Sequence, residues 1–358
     1  MNTKDRPGDE MSAVDARFDA QRIALAPVIF QAARLLRDLG ILKVLKTNRT
    51  GLSLGEIADK VETSRYGVIV LLEAGLAAGL VRCQDERYFL TMTGVYILSD
   101  ELTRNNMDVV HHCCFQAMYY LEDAIREGKP VGLEKIFGDW GTIYAGLSDL
   151  PEDARTSWFK WDHYYSDAAF AQALPIVFER GHRSMLDVGG NTGKWAFECV
   201  NHAEDVSVTI LDLPGQVAVA KGNIEERGFQ QRITTHAMDL LDGSQPFPEG
   251  FDAIWMSQFL VCFSEEDALA LLERAAAAMG DNTTLYILDN FWDRQEFEIA
   301  SFCLQAFSLY FTCVANGRSR MYKASDIMEM VERAGLKVER VVDNLGICSS
   351  LLICRTDP

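Results

Sequence analysis

Short apolar segments alternate with helical patterns from residue 184 onward, and this alternation constrains the fold more than any other feature of the sequence. The predicted strands cover residues 184–188, 206–211, 233–236, 252–256, 284–288, 338–342 and 351–354. Strands that alternate with helices return to the same sheet in parallel, so the pattern predicts an α/β fold with a mostly parallel, doubly wound sheet. The last two segments flank the turn Asn344-Leu345-Gly346 and are predicted to be antiparallel.

A glycine-rich turn joins the first predicted strand to the helix that begins at Lys194. It reads Asp187-Val188-Gly189-Gly190-Asn191-Thr192-Gly193. Glycines let the backbone turn sharply and approach a ligand closely, while the first N–H groups of the helix point toward that ligand. Proteins that bind NAD or other nucleotides also use such turns, so the turn predicts a binding site without identifying its ligand.

Acidic residues in and beyond this turn narrow the choice of ligand. The second strand ends in Leu211-Asp212-Leu213-Pro214, where a carboxylate accepts hydrogen bonds from ribose hydroxyls. Met238-Asp239-Leu240 follows the third strand and is placed to receive an adenine edge. Asp187 lies two residues before the first glycine and would repel a pyrophosphate, so the site favours a cationic or zwitterionic adenosine compound. S-adenosylmethionine, with its amino group and sulfonium, fits that description.

The N-terminal region has the pattern of a winged helix. A helical pattern over residues 13–39 is followed by a capping box at Ser53-Leu54-Gly55-Glu56, a helix over residues 64–79 and a hairpin over residues 81–90. A winged helix often binds DNA, but the chain has 34 Lys and Arg against 52 Asp and Glu, a net charge of −18. The helix over residues 64–79 offers only Arg65 as a cation, so we expect this domain to contact protein rather than nucleic acid.

The pattern divides the chain into four parts: a disordered tail (1–12), a winged-helix domain (13–105), an aromatic-rich helical region (106–180) and a Rossmann-like domain (181–358). The aromatic region is suited to line a pocket for a flat ligand. No membrane span or signal peptide is predicted, and the nine cysteines show no Cys-x-x-Cys spacing. Reduced thiols in the cytoplasm and the absence of a bound metal are the resulting expectations.

These motifs resemble the plant and bacterial small-molecule O-methyltransferases, the family of the caffeic acid and hydroxyindole enzymes. The resemblance runs from about Arg22 to Arg355 and implies S-adenosylmethionine as cofactor, a small-molecule acceptor and a homodimer formed through the N-terminal domain. It extends the predicted cofactor site to Ser257, where the family usually has a lysine. The complete set of cofactor positions is Asp187, Gly189, Gly190, Gly193, Asp212, Leu213, Asp239, Leu240 and Ser257. The positions that correspond to the family's acceptor pocket are Phe115, Tyr119, Tyr310 and Met321.

The family's catalytic histidine is absent. Its position holds Val261, and the two acidic residues that orient it in plant members correspond to Asp289 and Ser319. His163 aligns with a pocket residue of the family and is the best candidate for a base, with Asp162 or Asp289 to orient it. An alternative interpretation, a helical histidine without chemistry, stays open.

Three functions follow from this sequence. The leading hypothesis is methyl transfer from S-adenosylmethionine to a hydroxyl of a small aromatic or polycyclic molecule, with His163 and Asp289 as catalytic residues. Because Val261 cannot take a proton, the second is a relative that binds the cofactor but decarboxylates or hydroxylates its substrate. The third is a cofactor-sensing regulator that acts through the winged helix.

Overall fold

The computed structural model describes residues 11–356, which form two compact units, residues 11–108 and residues 109–356. Residues 1–10 of the predicted tail therefore lie outside the described residues. The first unit contains these elements: α1 (Ala13–Asp38), α2 (Ile41–Thr47), β1 (Leu52–Ser53), α3 (Leu54–Ala58), α4 (Arg65–Ala77), β2 (Val81–Gln84), β3 (Arg87–Leu90), α5 (Met92–Ser99) and most of α6 (Glu101–Val109).

The first unit is the predicted arrangement of helices and hairpin, with one short strand that the sequence pattern did not indicate. β1 pairs antiparallel with β3 and completes a three-stranded sheet in the order β1-β3-β2. The predicted capping box is present, since the Glu56 carboxylate accepts from the Ser53 backbone N–H at 2.7 Å and Ser53 Oγ accepts from the Glu56 N–H at 3.3 Å. Helix α4 presents its apolar face to a core that includes Leu36, Leu42 and Leu72.

The second unit begins with short helices that lead into one long helix. Two distorted segments come first, a π-helical stretch (Val110–Cys114) and a 3₁₀ stretch (Ala117–Tyr120). The regular helices that follow are α7 (Leu121–Glu127), α8 (Val131–Ile136), α9 (Ile143–Gly146) and α10 (Glu152–Phe178). A 3₁₀ stretch (Leu147–Asp149) separates the last two.

A seven-stranded sheet forms the rest of the second unit. Its elements are β4 (Ser184–Val188), α11 (Lys194–His202), β5 (Ser207–Asp212), α12 (Pro214–Arg227), β6 (Ile233–Ala237), β7 (Ala253–Ser257), α13 (Glu265–Ala278), β8 (Thr284–Asp289), α14 (Glu298–Tyr310), α15 (Ala324–Arg333), β9 (Leu336–Leu345) and β10 (Ser349–Thr356). Between these elements lie two 3₁₀ stretches (Leu260–Cys262 and Trp292–Arg294) and a π-helical stretch (Phe311–Ala315).

The strand order is β6-β5-β4-β7-β8-β10-β9. Strands β4 to β8 are parallel, whereas β10 lies antiparallel between β8 and β9, so the predicted fold class is confirmed. The central strands are buried on both faces, as is usual for a parallel sheet. On one face, Trp195 of α11 stacks on Trp255 of β7 with ring centroids 3.8 Å apart.

The stretch Glu298–Ala315 is long and apolar enough to cross a bilayer by length and composition alone. In this protein it forms α14 and the π-helical stretch after it, and it buries Leu304, Phe307 and Tyr310 within the second unit. A core helix of a globular domain has the same composition, so the stretch does not indicate a membrane span.

Candidate active site

A cavity of about 690 Å³ opens at the carboxyl ends of the parallel strands. We call it the large cavity. Of the nine predicted cofactor residues, all but Gly193 line it, and they come from the ends of β4, β5, β6 and β7. Parallel neighbouring strands have their carboxyl ends at the same edge of the sheet. Residues 70 positions apart in sequence (187 and 257) therefore share one site.

The glycine-rich turn requires glycine at three of its positions. Gly189 has a φ of +73°, and a Cβ there would lie 2.4 Å from Phe259 Cδ2. A Cβ on Gly190 would lie 2.6 Å from the Asp187 carboxylate. Gly193 has a φ of +89° and begins α11, so its role is to form the turn rather than to line the cavity.

Two buried carboxyl groups lie under this turn. Asp212 accepts hydrogen bonds from the backbone N–H groups of Asn191 at 2.8 Å and Leu213 at 2.7 Å. Asp187 has an oxygen, Oδ2, that is buried without a hydrogen-bond partner among the described residues. Burial, with a smaller contribution from Asp212, raises the pKa of Asp187 to about 8. Burial also raises the pKa of Asp212.

The large cavity suits a positively charged ligand that brings its own hydrogen-bonding groups. Eight carboxyl side chains and three Lys or Arg side chains line it. Besides Asp187 Oδ2, the buried oxygens Asn191 Oδ1 and Ser257 Oγ have no partner within the described residues. Unpaired buried polar atoms are unfavourable, so a ligand that supplies partners for them is stabilised here.

A second, smaller cavity of about 40 Å³ adjoins the large one. We call it the side cavity. Tyr310 and Met321, two predicted acceptor-pocket residues, line it together with Asp289 and Val261. Asp289 accepts from the Asn290 N–H at 2.8 Å, and burial raises its pKa to about 7. The lining residues common to both cavities are Tyr144, Trp158, Asp162, Gln258 and Cys262.

The structure does not bring the other two predicted acceptor-pocket residues to either cavity. Phe115 and Tyr119 line neither cavity, and Tyr119 is 86% exposed. Both residues lie in or next to the π-helical and 3₁₀ stretches between residues 110 and 120, and their assignment to the acceptor pocket, which came from the family resemblance, stays a prediction.

His163 lies on α10 and lines the large cavity. Its Nδ1 is 3.6 Å from Asp167 Oδ1, and its ring stacks on Phe159. Asp167 also binds Lys194 Nζ at 2.5 Å. Burial acts to raise the pKa of Asp167, but the bonds from His163 and Lys194 lower it below its usual range. The carboxylate beside His163 is thus Asp167, one helical turn away, rather than Asp162 or Asp289.

Asp162, named from the sequence as a possible orienting residue for His163, lines both cavities, and burial raises its pKa to about 6. Three further residues were not predicted as site residues. Gln258, Tyr144 and Lys194 also line the large cavity. Only Lys194 had a signal in the sequence, since it follows the glycine-rich turn directly; the other side chains reach the site through packing between distant elements.

Comparison with known proteins agrees with this geometry. Residues 17–88 match the Dimerisation2-like domain and residues 118–337 match the O-methyltransferase domain. The chain is 22% identical over 313 residues to an L-tyrosine C(3)-methyltransferase of Streptomyces lavendulae, an alignment that covers 87% of this chain and 84% of that protein. It is 26% identical over 235 residues to a 3-hydroxy-5-methyl-1-naphthoate 3-O-methyltransferase of Streptomyces sahachiroi, covering 65% of this chain and 66% of the other.

Among solved structures, the S-adenosylmethionine-dependent methyltransferase SibL in its apo form superposes with a TM-score of 0.71 at 22% identity. The match covers 95% of this chain and 99% of that one. None of these three proteins is named as a decarboxylase, a hydroxylase or a DNA-binding regulator, so the comparisons give no support to the two alternative functions.

Proposed function

Since the chain belongs to the O-methyltransferase family, whose domain spans residues 118–337, we propose that it methylates a hydroxyl group of a small aromatic or polycyclic molecule. S-adenosylmethionine is the cofactor, as predicted. The single observation that carries the proposal is the junction of an acidic cavity at the strand ends with an aromatic side cavity. The named relatives act on tyrosine and on a hydroxynaphthoate, which supports an aromatic acceptor.

The residues of the large cavity fit S-adenosylmethionine. Asp212 would accept from the ribose hydroxyls, and Asp239 and Leu240 would adjoin the adenine. Asp187, with its unpaired Oδ2, would accept from the amino group. The Ser257 hydroxyl, which has no partner in the described chain, takes the place of the family's lysine. When bound, the cofactor supplies an electrophilic methyl group on its sulfonium.

Residues of this chain position the acceptor and accept the proton of its hydroxyl group. The rings of Trp158 and Tyr144 contact each other edge to face and line both cavities, so an aromatic acceptor packed against them lies next to the cofactor site. We propose that His163 accepts the proton of the acceptor hydroxyl, with Asp167 holding its ring. Asp289, which burial brings to a pKa of about 7, would exchange a proton with the acceptor in the side cavity near neutral pH. Holding the acceptor in place lowers the barrier even where the base is weak.

We further propose a cytoplasmic homodimer. All nine cysteines are free thiols, which agrees with a reducing compartment. The Dimerisation2-like domain and the exposed apolar side chains of α1 support a dimer through the N-terminal unit.

The test of the proposed activity has two stages. Isothermal titration calorimetry should show that the purified chain binds S-adenosylmethionine and S-adenosylhomocysteine. Incubation with S-adenosylmethionine and a panel of hydroxyarenes (catechol, 1-naphthol and 1-hydroxy-2-naphthaldehyde) should then yield S-adenosylhomocysteine and a methyl ether by mass spectrometry. Absence of cofactor binding, or a product that has gained oxygen, would contradict the proposal.

A further inference from the structure

The side cavity contains more hydrogen-bond donors than the protein satisfies. Trp161 Nε1 and Gln258 Nε2 are buried, and neither has a partner among the described residues. Both residues line the side cavity. By contrast, the nearby Trp158 Nε1 donates to the Tyr310 hydroxyl at 2.6 Å. An unpaired buried donor is unfavourable, so the presence of two of them on residues that line one small cavity indicates a ligand that carries a hydrogen-bond acceptor.

The backbone at Gln258 is held in an unusual conformation. Its φ is +46°, in the left-handed region that a residue with a Cβ seldom adopts, and its N–H donates to the Leu288 carbonyl at 2.8 Å. Gln258 directly follows β7 and its side chain reaches the junction of the two cavities. Strained residues of this kind are concentrated at ligand sites, where the strain fixes the direction of a functional side chain.

The charges around the side cavity exclude an anion. Its lining residues include no Lys, Arg or His, but they include the carboxyl groups of Asp162 and Asp289. A carboxylate placed there would lose its hydration and gain no cation, while facing two acids. A carbonyl or hydroxyl oxygen avoids both penalties. A volume of about 40 Å³ admits one such group, since a single water needs about 10–15 Å³ on the same measure.

We propose that the side cavity binds one uncharged oxygen substituent of the acceptor, next to the methylated hydroxyl, and that Gln258 and Trp161 donate to it. Gln258 is then a specificity-determining residue, and the acceptor class is a hydroxyarene with a neighbouring carbonyl or hydroxyl rather than a neighbouring carboxylate. The inference rests on the proposed function, because it takes the two cavities as cofactor and acceptor sites.

The test compares three probes that differ at one position: 1-hydroxy-2-naphthaldehyde, 1-hydroxy-2-naphthoate and 1-naphthol. Calorimetry on the full chain saturated with S-adenosylhomocysteine should show the aldehyde binding about tenfold or more tightly than either other probe, the effect of one or two hydrogen bonds. Equal or tighter binding of the naphthoate would overturn the proposal. So would failure of all three probes to bind.

Two variants assign the preference to the named donors. Gln258→Leu removes the amide, and Trp161→Phe removes the indole N–H but keeps an aromatic ring. In each variant, the ratio of the aldehyde affinity to the 1-naphthol affinity should fall about tenfold or approach one. A ratio is compared because it does not depend on how much of a variant is folded. The exposed Gln231→Leu is the matched control and should keep the wild-type ratio.

Failure here is distinguishable from failure of the proposed function. If S-adenosylhomocysteine binds and a hydroxyarene is methylated, but the ratio is unchanged in Gln258→Leu and Trp161→Phe, only the assignment of the side cavity is wrong. If S-adenosylhomocysteine does not bind to the wild-type chain, the cofactor site itself is wrong and this inference falls with it.

Discussion

At the scale of single residues, the first prediction concerns His163 as the residue that accepts the proton of the acceptor hydroxyl. His163 is 25% exposed, lines the large cavity and lies beside the Asp167 carboxylate. A positioned base contributes about 10²–10⁴-fold to a rate, so His163→Ala should lower kcat by about 10²-fold or more while S-adenosylhomocysteine affinity changes less than about twofold. Turnover with the best hydroxyarene of the panel and calorimetry give the two quantities.

The matched control for this substitution is His236→Ala, since His236 is exposed on the edge strand β6. It should leave kcat at the wild-type value. If His163→Ala also does so, His163 has no chemical role, and Asp162 and Asp289 become the candidates for the base.

Asp187 gives the second residue-scale prediction. In the free protein its pKa is raised to about 8 by burial, so it carries a proton at pH 6.5. Pairing with the cofactor's amino group requires the ionised form, so binding should release about one proton at pH 6.5. The affinity should consequently rise about tenfold per pH unit from pH 6 to 7, below the range in which an α-amino group itself loses its proton.

Calorimetry in buffers of different ionisation enthalpy measures the protons released. Asp187→Asn should bind more weakly, release no proton and show no rise in affinity over the same range. The exposed Asp205→Asn serves as the control and should behave as the wild type. Proton release that persists in Asp187→Asn would assign the titration to another group.

At the scale of elements, the β4–α11 turn depends on three glycines. In Gly190→Ala the new Cβ would meet the Asp187 carboxylate at 2.6 Å and Ile210 Cγ2 at 3.0 Å. Overpacking of this kind should lower the free energy of unfolding by about 1–3 kcal/mol and displace Asp187, which weakens cofactor binding as well. Urea unfolding followed by tryptophan fluorescence measures this unit, because all six tryptophans lie between residues 140 and 292.

Gly222→Ala is the matched control for that turn. Gly222 lies inside α12, and a Cβ there would have no atom within 4 Å. Replacing a helical glycine by alanine should raise the free energy of unfolding by about 0.5–1 kcal/mol. The changes in the free energy of unfolding should therefore have opposite signs for the two substitutions. Equal changes would mean that the turn accommodates a Cβ as well as the helix does.

The elements also show what a sequence can and cannot predict. Strands and the glycine-rich turn were predictable because local patterns determine them: burial on both faces gives apolar runs, and a sharp turn next to a ligand needs glycine. Most of the eight predicted cofactor residues that line the large cavity followed from that, since they lie at strand ends, whereas Ser257 was predicted from the family resemblance. Phe115 and Tyr119 were predicted from the family resemblance alone, and the irregular helical turns around them follow from tertiary packing that local sequence does not determine.

The side cavity was less predictable for a related reason. Its walls come from α10, from the segment after β7 and from α14, which are separated by more than 90 residues at the widest. No sequence pattern predicts that Trp161 and Gln258 line the same cavity or that their N–H groups lack hydrogen-bond partners there. The sequence shows that Val261 replaces the family's catalytic histidine. It does not show that Asp162, Gln258 and Asp289 line the same cavity as Val261, because that arrangement depends on packing.

At the scale of the whole molecule, α1 indicates a second copy of the chain. From Ala13 to Val28 every residue except Asp19 is exposed, although Val14, Phe18, Leu25 and Val28 recur with the spacing of one helical face. Most of the stability of a helix in a protein comes from the packing of its apolar face, and this exposed part of the face has no such contacts within the described residues. Packing against the same helix of another copy would supply them, which agrees with the Dimerisation2-like domain.

The variant Phe18→Lys/Val28→Lys tests that dimer. The two side chains are 61% and 68% exposed, so in a monomer the substitutions should change the free energy of unfolding by only a few tenths of a kcal/mol, whereas in a dimer they place charges in an apolar interface. Sedimentation equilibrium should show a dimer for the wild type and a monomer for the variant. Val219→Lys, which replaces an exposed valine of α12, should remain dimeric. A monomeric wild type, or a variant that stays dimeric, would mean that this face of α1 does not form the interface.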